Sequence, residues 1–440
     1  MGNRAAGTVW VALLACGCHA APVGPRPAAP TVVPAAAELP PVSATPIEPE
    51  LKPLPRLDPK PPAEATSFRG LTEPVCQSLA AQNTPAANLL DAENQSPPKG
   101  GCETPGSRTR QAVRYYTALE LRNQSAAAAL ERFFQLADAE ARTELLRKML
   151  PVLDGLRDRA EKAKAAGVRY PLDPADLDRQ RSQLLAQMAE ADAGVRLLNL
   201  DLRRRLGLPP DFGGERLRPT GAFDVEPGFV DEAAAVAAAL AERPELRAWR
   251  ALAAGLNADT LPAVRDLLRT INPLLGSGGE VPDSLCKLLL AGLRARHGPD
   301  ADTLAELEVR RRQLADVIAG RERVVADETR AAAIEANARL RRVGLAHDRA
   351  AGRKAEWDEA IKRRAANLPG AELAAAQAEV EWLRARAEAV AELAAWHQAR
   401  VRLKAAQGRL AWETAPAGTE PPPPGDHPGG GRPAGRLFRR

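Results

Sequence analysis

Residues 371–408 read AELAAAQAEVEWLRARAEAVAELAAWHQARVRLKAAQG. Along this stretch Leu373, Ala376, Val380, Leu383, Ala387, Val390, Ala394, His397 and Val401 recur in alternating steps of three and four. That spacing is the seam of a coiled-coil helix, in which one apolar stripe faces a partner. Much of the stripe is alanine, so the partner backbone can approach closely. The intervening Glu and Arg residues alternate in sign, as on a solvated helix face. Just upstream, Leu368-Pro369-Gly370 is a helix-breaking turn. Before it, Leu304 to Ala366 is charged, periodic and free of proline. A helix over that span reaches about 95 Å at about 1.5 Å per residue. The second half of the chain therefore predicts a long antiparallel helical hairpin.

The first half repeats the plan. Leu130, Phe134, Ala137, Ala141, Leu145, Met149, Val152 and Leu156 step by threes and fours within a helix expected over Thr109 to Ala166. Pro151 lies inside it and predicts a kink. Gly167 to Leu172 ends the helix, and Asp173-Pro174 is an N-cap followed by proline at the first helical position. The returning helix carries Leu177, Leu184, Met188, Ala191, Val195, Leu198 and Leu202, and stops at Leu206-Gly207-Leu208-Pro209-Pro210. Leu202 with Gly207 corresponds to Leu403 with Gly408, so the halves match at an offset of about 200 residues. A small module precedes each hairpin. Leu71-Thr72-Glu73 starts a helix over Val75 to Ala81, followed by Pro85 to Leu90. Asp231 to Asp259 is a helix–turn–helix restarted at Arg243-Pro244-Glu245-Leu246.

Composition agrees with an all-α chain. Aromatic residues are only 4% of the 440, too few for a β-sandwich or barrel of this size. The 39 prolines and 33 glycines cannot sit in helix interiors and gather in turns and ends. The 61 basic and 56 acidic side chains leave +5, without a basic block interleaved with aromatics, so nucleic acid is not an expected partner. The five cysteines and five histidines are dispersed, with no paired-ligand spacing, so no metal or other cofactor is expected. Nothing marks a nucleophile elbow or an acid–base pair, so the chain is not expected to be an enzyme. His347 and His397 lie on helices and read as packed or interface residues. The triplets Arg203-Arg204-Arg205 and Arg310-Arg311-Arg312 read as wet helix faces, with contact to a tunnel lumen or to anionic lipid as the alternative.

This doubled unit, with its Leu-x4-Gly helix ends and Arg-Pro-Glu-Leu module, resembles the TolC-like outer-membrane efflux family. The matching stretches are Asp176 to Gly207, Val230 to Leu261, Leu307 to Arg342 and Leu373 to Gly408, within an overall span of Phe68 to Trp412. The resemblance implies a homotrimer whose helices form a periplasmic tunnel. It also implies an inner-membrane pump reached through a periplasmic adaptor that meets the hairpin tips. The tip residues are Gly167, Tyr170, Pro171 and Asp173 in the first hairpin, and Pro369 and Gly370 in the second. One departure stands out. Members of the family place transmembrane β-strands where this chain has Ala92 to Gln111 and Val264 to Thr303. Neither stretch has an aromatic residue or a ten-residue alternation. Transmembrane strands are expected to be reduced or absent, with a loop at Gln95 to Gly101 and a short helix at Leu285 to Leu293. A lipid-anchored coiled-coil envelope protein without a conducting pore is the alternative reading.

The termini set the location. Arg4 precedes the apolar run Thr8 to Ala15, too short to span a bilayer. Leu13-Leu14-Ala15-Cys16 resembles the bacterial lipobox, which implies a signal peptide over 1–15 and a lipidated Cys16, with Cys18 as the alternative. An ordinary secretory signal with an incidental cysteine is the plainer reading. Gly17 in place of aspartate is compatible with outer-membrane delivery. Residues 16–66 form a Pro/Ala-rich linker, extended where polyproline-like. The remaining divisions are 67–208, the first repeat; 209–303, an intermediate helical segment; 304–413, the second hairpin; and 414–440, a Pro/Gly tail. In an oxidising compartment Cys76 and Cys102 are candidates for a disulfide, with free thiols as the alternative.

Overall fold

The computed structural model describes residues 68–96, 105–209, 215–221, 223, 225, 228–271 and 300–414. Four long helices dominate: α3 (Pro105–Ala165) and α4 (Pro174–Arg205) form one hairpin, α8 (Ala301–Ala365) and α9 (Ala371–Ala406) the other. α3 and α8, at 61 and 65 residues, are roughly twice the length of their partners at 32 and 36. The tip-side half of each long helix thus pairs with a returning helix, and the other half is free to pack against the small modules. Those are α1 (Glu73–Gln82) with α2 (Pro85–Gln95), and α5 (Glu232–Glu242) with α6 (Pro244–Ala254). A four-residue helix, α10 (Arg409–Trp412), closes the described chain.

The expected seams are the buried faces. Every seam residue from Leu373 to Val401 is buried or half-buried, and so is every one quoted for α3 and α4. α9 packs against both α8 and α3, which makes the layer order α4–α3–α9–α8. The edges of the layer are therefore α4 and α8. Packing clusters tie the layer together along its length: Leu145, Met149, Leu184 and Leu383 midway, and Phe133, Phe134, Val195, Leu202 and Val401 at the root.

Several local expectations meet the structure with adjustments. α3 runs through Pro151 as one helix, with the proline ring exposed, where the missing backbone bond faces water. Thr72 occupies the N-cap of α1, but its hydroxyl caps nothing. Asp231 caps α5 through Ala233 N and Ala234 N. α7 (Leu261–Ile271) was not anticipated; its buried Leu261, Val264 and Leu268 pack with Leu307 and Leu314 of α8. Also unanticipated are β1 (Phe68–Leu71) and β2 (Arg216–Pro219), a parallel pair in the register Phe68↔Arg216 to Leu71↔Pro219. At four residues each they fall well short of the roughly 9–11 that a transmembrane strand needs. The loop expected at Gln95 to Gly101 is described only at Gln95 and Ser96, where α2 ends. The short helix expected at Leu285 to Leu293 lies outside the described residues, as do Cys16, Cys18, Cys102 and Cys286.

Candidate functional site

The two hairpins turn by the same backbone device. Gly167 (φ +67°) and Asn367 (φ +52°) occupy left-handed positions. At the first turn, Gly167 N donates to Lys164 O at 3.1 Å and Val168 N to Ala163 O at 2.9 Å. At the second, Asn367 N donates to Arg364 O at 2.9 Å and Leu368 N to Arg363 O at 3.2 Å. These reversed bonds satisfy the last helical carbonyls and end the helix. The restarts differ. Asp173 caps α4, accepting from Ala175 N at 3.1 Å, with Pro174 next. Gly370 (φ +74°) precedes α9 without a side-chain cap.

Of the expected tip residues, Gly167, Pro171, Asp173, Pro369 and Gly370 are exposed. Tyr170 is half-buried, packed with Leu172, Leu373 and Ala376 against Leu156, Ala160 and Leu177. That cluster joins both hairpins, so the two tips form one end of the layer, spanned also by Arg159–Glu372 at 3.6 Å. Residues 162–172 and 361–371 carry Lys162, Lys164, Arg169, Lys362, Arg363 and Arg364, all exposed, with the carboxylates Glu161, Asp173, Glu359 and Glu372 directly beside them. Cations there also suit the C-terminal ends of the α3 and α8 dipoles. Between them, Val168 and Leu368 are 62% and 52% exposed. Neither was singled out from the sequence. Aligning the two turns on their left-handed residues, Gly167-Val168 with Asn367-Leu368, would have found both.

The opposite end, the root, is held by polar side chains that reach the helix termini. Asn83 Nδ2 donates to Leu206 O at 2.8 Å, and Asn123 Nδ2 to Ala405 O at 2.8 Å. Arg243 Nη1 donates to Ala406 O at 3.2 Å and to Glu328 Oε2 at 2.7 Å. Arg321 Nη2 donates to Glu245 Oε2 at 2.8 Å. Beside them, burial pushes the Glu120 carboxyl up to about 7, against the pull of Arg243. His397 stacks on Phe134 with centroids 4.7 Å apart, beside Phe223 and Trp396. Burial, with Arg400 adding, pushes its imidazole down to about 4, so it is a neutral packed group. Cys76 is a buried free thiol, pushed up to about 12 by burial, with Glu73 adding.

Each arginine triplet divides: its first member is buried, and the exposed Arg204, Arg311 and Arg312 lie on the wet helix face expected of them. Arg203 is buried and donates to Glu215 O, while Arg204 and Arg205 pair with Asp201. Arg310 is buried on Glu306, and Arg311 and Arg312 share Glu308. Among the described residues no three His, Cys, Asp or Glu side chains gather as a metal site. Among the same residues no helix is long and apolar enough to cross a membrane.

A layer of two long helical hairpins, with a small helical module at each root, is the fold of TolC-like outer-membrane channels. Superposition on solved structures shows it. The open state of the Neisseria gonorrhoeae MtrE outer membrane channel matches with a TM-score of 0.52 at 12% identity, over 78% of this chain and 91% of that one. The Campylobacter jejuni CmeC outer membrane channel gives 0.51 at 11% identity, over 76% and 85%. CusC, described in connection with transmembrane channel formation, gives 0.51 at 12% identity, over 79% and 96%. No protein-family model and no curated protein matches the sequence.

Proposed function

We propose that the chain is the outer-membrane channel component of an efflux or type I secretion system. It acts as a homotrimer whose helices enclose a tunnel, and it catalyses no bond chemistry. The observation that carries this reading is where apolar surface is left uncovered. The central helices α3 and α9 have no exposed large hydrophobic residue. The edge helices have eight: Leu185, Leu197 and Leu200 on α4 and, at the height of α4, Ile334 and Leu345 on α8, with Leu304, Val309 and Val324 in the other half of α8. A layer that is apolar only along its two edges is a segment of a closed ring, with α4 of one copy against α8 of the next. The three shared ends then form one charged rim with apolar Val168 and Leu368, the surface offered to a periplasmic adaptor and its inner-membrane pump. In this reading residues 1–15 are removed and acyl chains on Cys16 (Cys18 as the alternative) hold the protein to the outer membrane.

A second reading is a lipid-anchored structural coiled-coil protein of the envelope, without a pore. What favours it is α7, a packed helix at the start of the stretch where the TolC-like pattern places strands. One experiment separates the two. The detergent-extracted full chain is sized and then added to a planar bilayer. A trimer that gives discrete conductance steps supports the channel. A trimer or smaller species that never conducts, together with unchanged drug sensitivity and secretion on deletion, supports the structural reading.

A further inference from the structure

We propose that Glu120 is a proton-sensitive point of the root: its neutral form is tolerated where α3 meets α6 and the second hairpin, and its carboxylate loosens that contact. The inference starts from the charges that face it. Arg243 approaches from the α5–α6 turn and Glu245 from α6, Arg321 and Glu328 from α8, and Arg402 from α9, while Asn123, Gln124 and Glu131 lie on α3 itself.

Two carboxylates, Glu245 and Glu328, already balance the two guanidiniums. Arg243 lies 3.6 Å from Glu245 and 2.7 Å from Glu328, and also serves Ala406 O at the end of α9. Arg321 is committed to Glu245. The charge of Arg402 is already shared by two carboxylates, Glu131 at 2.8 Å and Glu335 at 2.9 Å. An ionised Glu120 therefore adds an unmatched negative charge on a side chain that is itself buried at the edge of the groove. Gln124 Nε2 reaches one of its oxygens at 3.0 Å, whereas the other, Oε2, is buried without a hydrogen-bond partner. A neutral carboxyl suits that setting and a carboxylate does not.

The near-neutral titration of Glu120 makes the switch reachable. A solvent-open groove of about 370 Å³, lined by Glu120, Asn123, Glu131, Arg243, Glu328 and Arg402, lets the proton in and out. Once ionised, Glu120 competes for Arg243, the residue that ties α6 to both α8 and α9. Relaxing Arg243 away from Glu328 and Ala406 frees the second hairpin at its root.

The test is hydrogen exchange on the full chain, wild type against Glu120→Gln, compared at equal pH so that the intrinsic exchange rates cancel. At about pH 4.5 the two should be nearly equally protected over residues 244–254 and 399–408. At about pH 8 the wild type should exchange at least about fivefold faster there than the variant, with the hairpin tips unchanged in both. Equal exchange at both pH values, or a difference as large at about pH 4.5 as at about pH 8, overturns the proposal. A wild-type infrared titration covers the case in which the variant fails to fold. A buried carboxylic-acid C=O band that fades between about pH 6 and 8 is expected, and loss of all such bands by about pH 5 overturns the proposal.

Discussion

Gly408 lies so close to Pro244 that a Cβ built on it would stand 2.5 Å from Pro244 Cδ and 2.9 Å from Arg243 Cα. Its counterpart in the first repeat, Gly207, meets Asn83 in the same way, at 2.8 Å from Asn83 Cβ. Both glycines are left-handed, at φ +75° and +66°. Each ends a returning hairpin helix and seats it on the turn of a small module: α1–α2 for Gly207, α5–α6 for Gly408. The repeated Leu-x4-Gly pattern is thus the mark of one docking joint made twice.

That joint gives the first prediction. Gly408→Ala and Gly207→Ala each combine a left-handed alanine, costing about 1–2 kcal/mol, with overpacking against rigid neighbours, costing about 1–3 kcal/mol. Each should lower stability by about 2–5 kcal/mol in denaturant unfolding. Gly167→Ala and Gly370→Ala carry the same backbone strain with nothing within 4 Å of the new Cβ. They should cost only the strain. Equal losses at all four positions would show that the close approach contributes nothing.

Glycines inside the rods predict the opposite sign. Gly344 and Gly352 sit on the exposed face of α8, with nothing within 4 Å of the place a Cβ would take. Alanine at either position removes backbone entropy from the unfolded chain at no steric cost. Each change should stabilise by about 0.5–1 kcal/mol, read as a raised Tm.

His397 sets an acid limit on the root. Its imidazole is pushed down to about 4 from an ordinary 6.5, so the unfolded chain binds the proton more readily than the folded one. Its contribution is full above about pH 6.5 and is lost as pH falls through 4. Glu120 acts in the reverse direction. Raised from 4.5 to about 7, it contributes most below 4.5, and that contribution is lost as pH rises through 7. His397→Phe, which keeps a ring against Phe134, should flatten the decline in unfolding free energy between about pH 6.5 and 4, measured by urea titration at each pH. A decline of unchanged slope would mean that the imidazole is not the titrating group.

How much of this was legible beforehand follows from what each feature depends on. The seams, the Asp173-Pro174 start and the Leu-x4-Gly ends are local patterns, with spacing and turn chemistry written in consecutive residues, and the structure matches them. β1 and β2 were not legible because Phe68 and Arg216 meet only after the chain has run through the whole first hairpin. α7 escaped because its three buried leucine and valine positions fill barely two turns. The root cluster was invisible for a related reason: Glu120, Arg243, Arg321 and Arg402 look like ordinary solvated charges until α3, α6, α8 and α9 bring them together. Mid-helix charges resemble one another in sequence, and burial alone separates them.

The edge helices carry the last prediction. Leu197 on α4 and Leu345 on α8 are 68% and 65% exposed, so the described chain leaves both largely uncovered. If copies associate edge to edge, a charge at either site is buried unpaired in the joint, which costs several kcal/mol per interface. In the single chain the same charge stays in water and costs little. Leu197→Glu and Leu345→Glu should therefore shift the detergent-extracted protein from trimer towards monomer in light scattering, with helical circular dichroism unchanged. Leu89→Glu serves as the control: Leu89 is 70% exposed but lies on α2, away from either edge, so the trimer should persist. If the edge variants stay trimeric while conducting normally, the copies meet through some other surface and the α4–α8 closure is wrong.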